Sequence, residues 1–419
     1  MDLRESARAA TDAIAERLAS PQDVRALHHR QGWWPQSLAH GAVGVALLHI
    51  ERARTGQGPW QRAHDWLACA AAEPVVAGMD SHLYYGAPAL AFALHAAADH
   101  RGRYARSLHI LDQHITAAIH DRLADAHTRM DRGEMPALAE FDAIRGLSGM
   151  GALLLHRGLH TDLLQEVLTY LVRLTEPVKH DGELLPGWWS HLSPSGKTSP
   201  QYPEGHANNA VAHGISGPLA ALSLAARRGV TVDGHRTAIA RILAWLDRWQ
   251  QASPTGPWWP YWITREQLRS GAPGPGPSRP SWCYGTAGIA RAQQLAALAL
   301  NNPQRQQAAE KALMDTMTDP GQLAATTDVS LCHGFAGLAH IVQYADTDAL
   351  TPGLSDCLPR LLAPIIDTAP CTLADSLIRP PGGGDIGLLE GAAGTALALH
   401  SFHTRAPSDS GWDTCLLVN

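Results

Sequence analysis

Seven times along this chain a short glycine signature opens a run of alanine and leucine. The signatures are His40-Gly41-Ala42-Val43-Gly44, Tyr85-Gly86-Ala87-Pro88-Ala89, Arg145-Gly146-Leu147-Ser148-Gly149, His213-Gly214-Ile215-Ser216-Gly217, Tyr284-Gly285-Thr286-Ala287-Gly288, His333-Gly334-Phe335-Ala336-Gly337 and Glu390-Gly391-Ala392-Ala393-Gly394. The first glycines stand at 41, 86, 146, 214, 285, 334 and 391, so the spacings are 45, 60, 68, 71, 49 and 57 residues. A helix that is apolar all round must be buried all round. Amphipathic periodicity at 2–19, 59–72, 103–124, 161–175, 234–251, 303–317 and 353–367 supplies a partner for each. Seven apolar helices, each with an amphipathic companion, are satisfied by an inner ring inside an outer ring. The expected fold is therefore all-α, an α/α toroid of seven inner and seven outer helices, as one domain over residues 1–419. The glycines would let inner helices approach closely where they converge.

Unequal spacing must be taken up by loops. The longest are expected near 176–212 and 253–281. The first is rich in Trp, Pro, Ser and Gly, and the second contains Ala272-Pro273-Gly274-Pro275-Gly276-Pro277, which no helix tolerates. Loops of this length without structure of their own usually cover or bind something. A charged stretch at 126–139 reads as a small insertion.

Polar residues collect at one end of these repeats. Immediately before the first glycines stand His40, Tyr85, Arg145, His213, Tyr284, His333 and Glu390, and one place earlier two repeats carry Cys283 and Cys332. Two thiols and an imidazole, Cys283, Cys332 and His333, are the ligand set of a zinc ion that keeps its fourth position open. His213 comes from the repeat next to the cysteines. Asp142 stands four places before Gly146 in the repeat before that. Structural zinc usually takes four protein ligands from closely spaced pairs, and only three are found here. Cys69, Cys357 and Cys371 read as small buried apolar residues, and His49, His64 and His160 as surface or packing histidines. The end of a phosphate loop at Gly196-Lys197-Thr198 fails because position 191 is histidine. A net charge of -6 argues against a nucleic-acid partner. Six scattered cysteines suit a reducing compartment, and no apolar stretch reaches membrane-spanning length, so no integral membrane segment is expected.

With Trp282-Cys283-Tyr284-Gly285, Cys332-His333-Gly334, Ala212-His213-Gly214 and Asp142 ahead of Gly146-Leu147-Ser148-Gly149, the chain resembles the lanthipeptide cyclases, the LanC-like family, in their stand-alone bacterial form. The resemblance implies a toroid with one zinc per chain, held by Cys283, Cys332 and His333. It implies active-site roles for His213, Asp142, Tyr284 and Arg279, the last four residues before Cys283. The implied reaction adds a peptide cysteine thiol to dehydroalanine or dehydrobutyrine, closing a thioether ring. Its partner is a dehydrated precursor peptide with leader and core, in company with a dehydratase and an export transporter. The expected location is the cytoplasm, or the membrane periphery through such a complex. Either His213 or Asp142 can be the group that transfers the proton. Family relatives linked to glutathione leave addition of a free thiol open, and a zinc-containing peptide scaffold is a further reading. A toroidal glycosidase using Asp142 and Glu390 leaves both cysteines unexplained.

Overall fold

Each of the seven apolar runs is a helix beginning one or two residues after its first glycine: Ala42–Arg54, Ala87–Ala97, Leu147–Arg157, Ser216–Arg227, Thr286–Leu300, Phe335–Thr347 and Ala392–Thr404. The structure, a computed structural model, describes residues 2–27, 33–99, 101–158, 161–193, 195–379, 384–405 and 408–419. Burial follows the sequence pattern. Every residue from Ala42 to Ala53 is buried, whereas Trp60–Ala70 buries only Ala63, Trp66, Leu67 and Ala70, one stripe of an amphipathic helix.

The chain forms two compact units. One comprises residues 1–117, 327–343 and 355–413, and the other 118–326, 344–354 and 414–419. In the first, Ala42–Arg54 packs on Trp60–Ala70 and on the apolar helices Ala87–Ala97 and Ala392–Thr404. In the second, Ser216–Arg227 packs on Leu147–Arg157, Thr286–Leu300 and His235–Trp249, while Thr286–Leu300 packs on Pro303–Thr318. In these pairs the amphipathic partner follows its apolar helix in the chain, and the connection can be very short: Asn301 and Asn302 suffice between Thr286–Leu300 and Pro303–Thr318. The last apolar helix, Ala392–Thr404, instead takes the N-terminal helix Leu3–Arg17 as its companion.

At Gly44, Gly217, Gly288, Gly337 and Gly394 the second glycine of the signature is squeezed most by a carbonyl oxygen of the loop ahead of its own helix. A Cβ on Gly394 would stand 1.7 Å from the carbonyl oxygen of Leu388, and one on Gly44 would stand 2.4 Å from that of Leu38 and 2.7 Å from the amide nitrogen of Leu388. The first glycine has a separate reason at Gly285, whose φ of 106° suits only glycine.

Backbone hydrogen bonds tie the loops ahead of these helices together within each unit. In the first, Leu388 N donates to Leu38 O (3.2 Å), Leu389 N to Ala39 O (3.1 Å), Cys332 N to Leu389 O (2.7 Å) and Leu38 N to Tyr84 O (3.0 Å). In the second, Ala143 N donates to Ala212 O (3.1 Å) and Ala212 N to Cys283 O (3.2 Å). Residues just before the first glycines are thereby set side by side.

The two long connections are not structureless. They contain three two-stranded antiparallel sheets: Val178–His180 with Glu183–Leu185, Gln251–Ser253 with Gly256–Trp258, and His206–Asn208 with Trp262–Thr264. The last joins one long connection to the other, in the register His206↔Thr264, Ala207↔Ile263 and Asn208↔Trp262. Strands of three residues are too short to show alternation. Ion pairs of Arg269 with Glu183 (2.8 Å) and Glu204 (2.9 Å) add further ties. The stretch 126–139 begins as the end of the helix Ala105–Asp131 and runs on to the short helix Leu138–Phe141. Among the described residues no single helix is long and apolar enough to cross a membrane; Leu354–Ile366 and Pro370–Ile378 meet the test only as a pair bent by 72°.

Candidate active site

The position four residues before the first glycine explains how the site is built. In three repeats it is serine, and the hydroxyl accepts from the backbone N–H of the residue just before the glycine: Ser37 from His40 (3.0 Å), Ser281 from Tyr284 (3.2 Å) and Ser330 from His333 (3.3 Å). Asp142 occupies the same place with two oxygens. Its Oδ1 accepts from the N–H groups of Ile144 (3.1 Å), Arg145 (2.6 Å) and Gly146 (2.9 Å). That leaves Oδ2 to hold Nδ1 of His213 at 2.7 Å.

A carboxylate oxygen can only accept, so His213 donates from Nδ1 and keeps Nε2 for other chemistry. Asp142 is 1% exposed and the His213 side chain 30% exposed, so the imidazole reaches out from a buried anchor. Burial alone would pull the His213 pKa down. The Asp142 hydrogen bond and charge, joined by the charge of Cys283, carry it above the ordinary imidazole value.

Tyr284 lies 6.2 Å from His213, ring centroid to ring centroid, and 5.3 Å from Tyr261. Burial pushes its hydroxyl pKa well up, so the phenol stays protonated. Arg279 is half-buried, its carbonyl oxygen accepts from Tyr261 Oη at 2.8 Å, and its Nε is buried without a hydrogen-bond partner among the described residues. His213, Asp142, Tyr284 and Arg279 are therefore brought into one neighbourhood through Tyr261 and Tyr284.

In the second unit Cys283 is buried, and in the first Cys332 is buried and His333 partly exposed. Two supporting residues were not singled out from the sequence. Asp328 places a carboxylate oxygen 3.3 Å from Nε2 of His333, and Ser281 Oγ lies 3.6 Å from the Cys283 sulfur. Register could have found both. Asp328 stands six places before Gly334, as Asn208 and Asp385 stand before Gly214 and Gly391, and Ser281 holds the same place as Asp142.

Of the residues set aside, Cys357 is buried and Cys69 half-buried, but Cys371 is exposed, because it sits in the first turn of the surface helix Pro370–Ile378. His49 is a packing histidine, its Nε2 2.8 Å from the Leu18 carbonyl oxygen. His64 lies at the surface against Tyr104. His160 lies outside the described residues.

The chain belongs to the lanthionine synthetase C-like family, whose family model matches residues 32–417, and its fold is the α/α toroid. The solved structure of nisin cyclase is similar with a TM-score of 0.77 over 96% of each chain at 21% identity, a likeness that carries the fold. The nisin biosynthesis protein NisC of Lactococcus lactis subsp. lactis is 25% identical over 263 residues, which are 62% of this chain and 60% of that relative's own length.

Proposed function

We propose that this chain is a zinc-dependent lanthipeptide cyclase, adding cysteine thiols of a dehydrated precursor peptide to its dehydroalanine or dehydrobutyrine residues. The observation that carries the reading is the family match over residues 32–417 of a chain that carries Cys283, Cys332 and His333. The donor set fits zinc: two thiols and one imidazole make three protein ligands, the number found where one position stays open for substrate. Cys283, Cys332 and His333 would hold the ion, with Asp328 orienting the His333 ring. When bound, zinc favours the thiolate over the thiol of a ligating cysteine, whose free pKa of about 8.5 leaves little thiolate at neutral pH.

The remaining chemistry belongs to the chain. Addition forms a bond from sulfur to the β-carbon and moves the alkene electron pair toward the neighbouring carbonyl. The α-carbon then takes a proton, so the thiol hydrogen is replaced and the mass is unchanged. In this reading His213, held through Nδ1 by Asp142, carries that proton at Nε2. Tyr284 and the unpartnered Nε of Arg279 are hydrogen-bond donors suited to an oxygen that gains negative charge. Cyclisation also needs the two reacting residues of one flexible peptide held together, a gain in effective concentration. The peptide comes with leader and core, a dehydratase supplies it, an export transporter takes the product, and the reaction is cytoplasmic.

The test is thiol alkylation followed by mass measurement on the dehydrated peptide. Ring formation removes alkylatable thiols with no change in mass. A peptide that keeps every thiol would leave a binding scaffold, and a glutathione adduct would point to free-thiol addition.

A further inference from the structure

Asn208 stands six places before the first glycine of its repeat, where two other repeats carry Asp328 and Asp385. All three perform the same local task. Oδ1 of Asp328 accepts from Ser330 N (2.8 Å), Oδ1 of Asp385 from Gly387 N (2.8 Å) and Oδ1 of Asn208 from Ala210 N (3.0 Å). A backbone N–H can only donate, so the end of the Asn208 amide facing Ala210 is its oxygen. The other end, Nδ2, faces the Tyr284 hydroxyl at 3.2 Å. An amide NH₂ can only donate, so the phenol oxygen must accept. The proton of Tyr284 is then turned away from Asn208.

Nothing lets this amide swing. Asn208 is fully buried and lies in the strand paired with Trp262–Thr264. The loop backbone at Gly214 is so close that a Cβ there would stand 2.5 Å from both Asn208 O and Oδ1. The amide also accounts for the departure from aspartate. A carboxylate in this place would accept from Tyr284 and draw its proton back into the protein.

We propose that Asn208 is a positioning residue that aims the Tyr284 O–H outward, at the substrate oxygen that gains charge as the thiol adds. The proposal rests on the cyclase reading for its substrate, while the hydrogen-bond direction stands on geometry alone.

The test is Asn208→Asp, which keeps the oxygen for Ala210 and reverses only the contact with Tyr284. Ring closure should slow by ~10–100-fold in kcat, with KM little changed, since one misdirected donor to a developing negative charge costs about that much or more. Zinc content should stay at the wild-type value, while burial of the new carboxylate lowers the melting temperature without loss of helical structure. In a Tyr284→Phe background the same substitution should slow ring closure no further. A charge effect or a structural effect would persist there and overturn the proposal, as would a wild-type kcat for Asn208→Asp alone. The ring-mode doublet of tyrosine in Raman spectra separates a phenol that accepts from one that donates, and subtracting the Tyr284→Phe spectrum isolates this phenol. It should accept in the wild type and donate in Asn208→Asp; a donor already in the wild type would overturn the assignment. Wild-type protein that closes no rings would count against the cyclase reading, and the Raman measurement would still decide the direction of the hydrogen bond.

Discussion

Replacing Asp142 by asparagine is the most informative single perturbation of this site. The three backbone N–H groups of Ile144, Arg145 and Gly146 can only donate, so they keep the oxygen of the new side chain. The amide NH₂ is then left facing Nδ1 of His213, where the carboxylate oxygen stood at 2.7 Å. Nδ1 must turn from donor to acceptor, which moves the imidazole proton to Nε2 and spoils that atom as a base. A hydrogen bond to a charged group contributes about 1.5–3 kcal/mol, and that much stability is expected to be lost. Ring closure should slow by about 10²–10⁴-fold, the usual worth of a positioned acid–base group. The sign of the pH effect follows from the raised His213 pKa. A group whose folded pKa is raised contributes stability below its unfolded pKa and loses it as pH rises through the folded value. The stability gap between wild type and Asp142→Asn should therefore be widest at mildly acidic pH and close as His213 loses its proton. With the carboxylate charge gone, burial dominates and the His213 pKa should fall. Urea unfolding at several pH values, imidazole proton NMR and the alkylation assay, all at equal zinc content, read these three effects. A variant that closes rings at the wild-type rate while His213 titrates no lower than in the wild type would refute the argument.

Cys283→Ala or Cys332→Ala should lose the metal, measured by elemental analysis of purified protein, while Cys69→Ala keeps about one zinc per chain; full metal in both site variants would refute the ligand set. Gly394→Ala should be strongly destabilising in thermal unfolding, because its Cβ would meet a backbone oxygen at 1.7 Å. Gly151→Ala, whose Cβ would meet only Val167 Cγ1 at 3.5 Å, should gain about 0.5–1 kcal/mol from removing a mid-helix glycine. If residues 1–419 act as one domain, circular dichroism should record a single helical melt, and a stable fragment ending near Gly205 would refute that.

The seven apolar helices were legible because each is apolar on every face and marked by glycine, two signals that do not depend on the rest of the fold. Their companions were legible as faces but not as pairs. Periodicity shows that 2–19 has an apolar side and says nothing of its docking on Ala392–Thr404. The sheet joining His206–Asn208 to Trp262–Thr264 could not be seen, since three residues carry no period. At the site, spacing gathered Cys283, Cys332, His333, His213 and Asp142. It could not show that Asp142 divides its oxygens between a loop and an imidazole, because that depends on where backbone N–H groups point. Asn208 and Asp328 were recoverable by counting six back from the glycine, a comparison that needs the loop geometry to give it meaning.

The docking of Leu3–Arg17 on Ala392–Thr404 also has a consequence for how the protein is made. The hydrogen bond from Thr11 to the carbonyl oxygen of Ala396 joins residues 385 positions apart. At about 5–20 residues per second on the ribosome, the first helix emerges roughly 20–80 s before the residues it packs against exist. Throughout that interval its apolar stripe of Ala7, Ala10 and Ile14, buried in the finished protein, has no native surface to cover it. The nascent chain must wait for its last repeat before its first helix can dock, so translation speed and holding chaperones bear on yield.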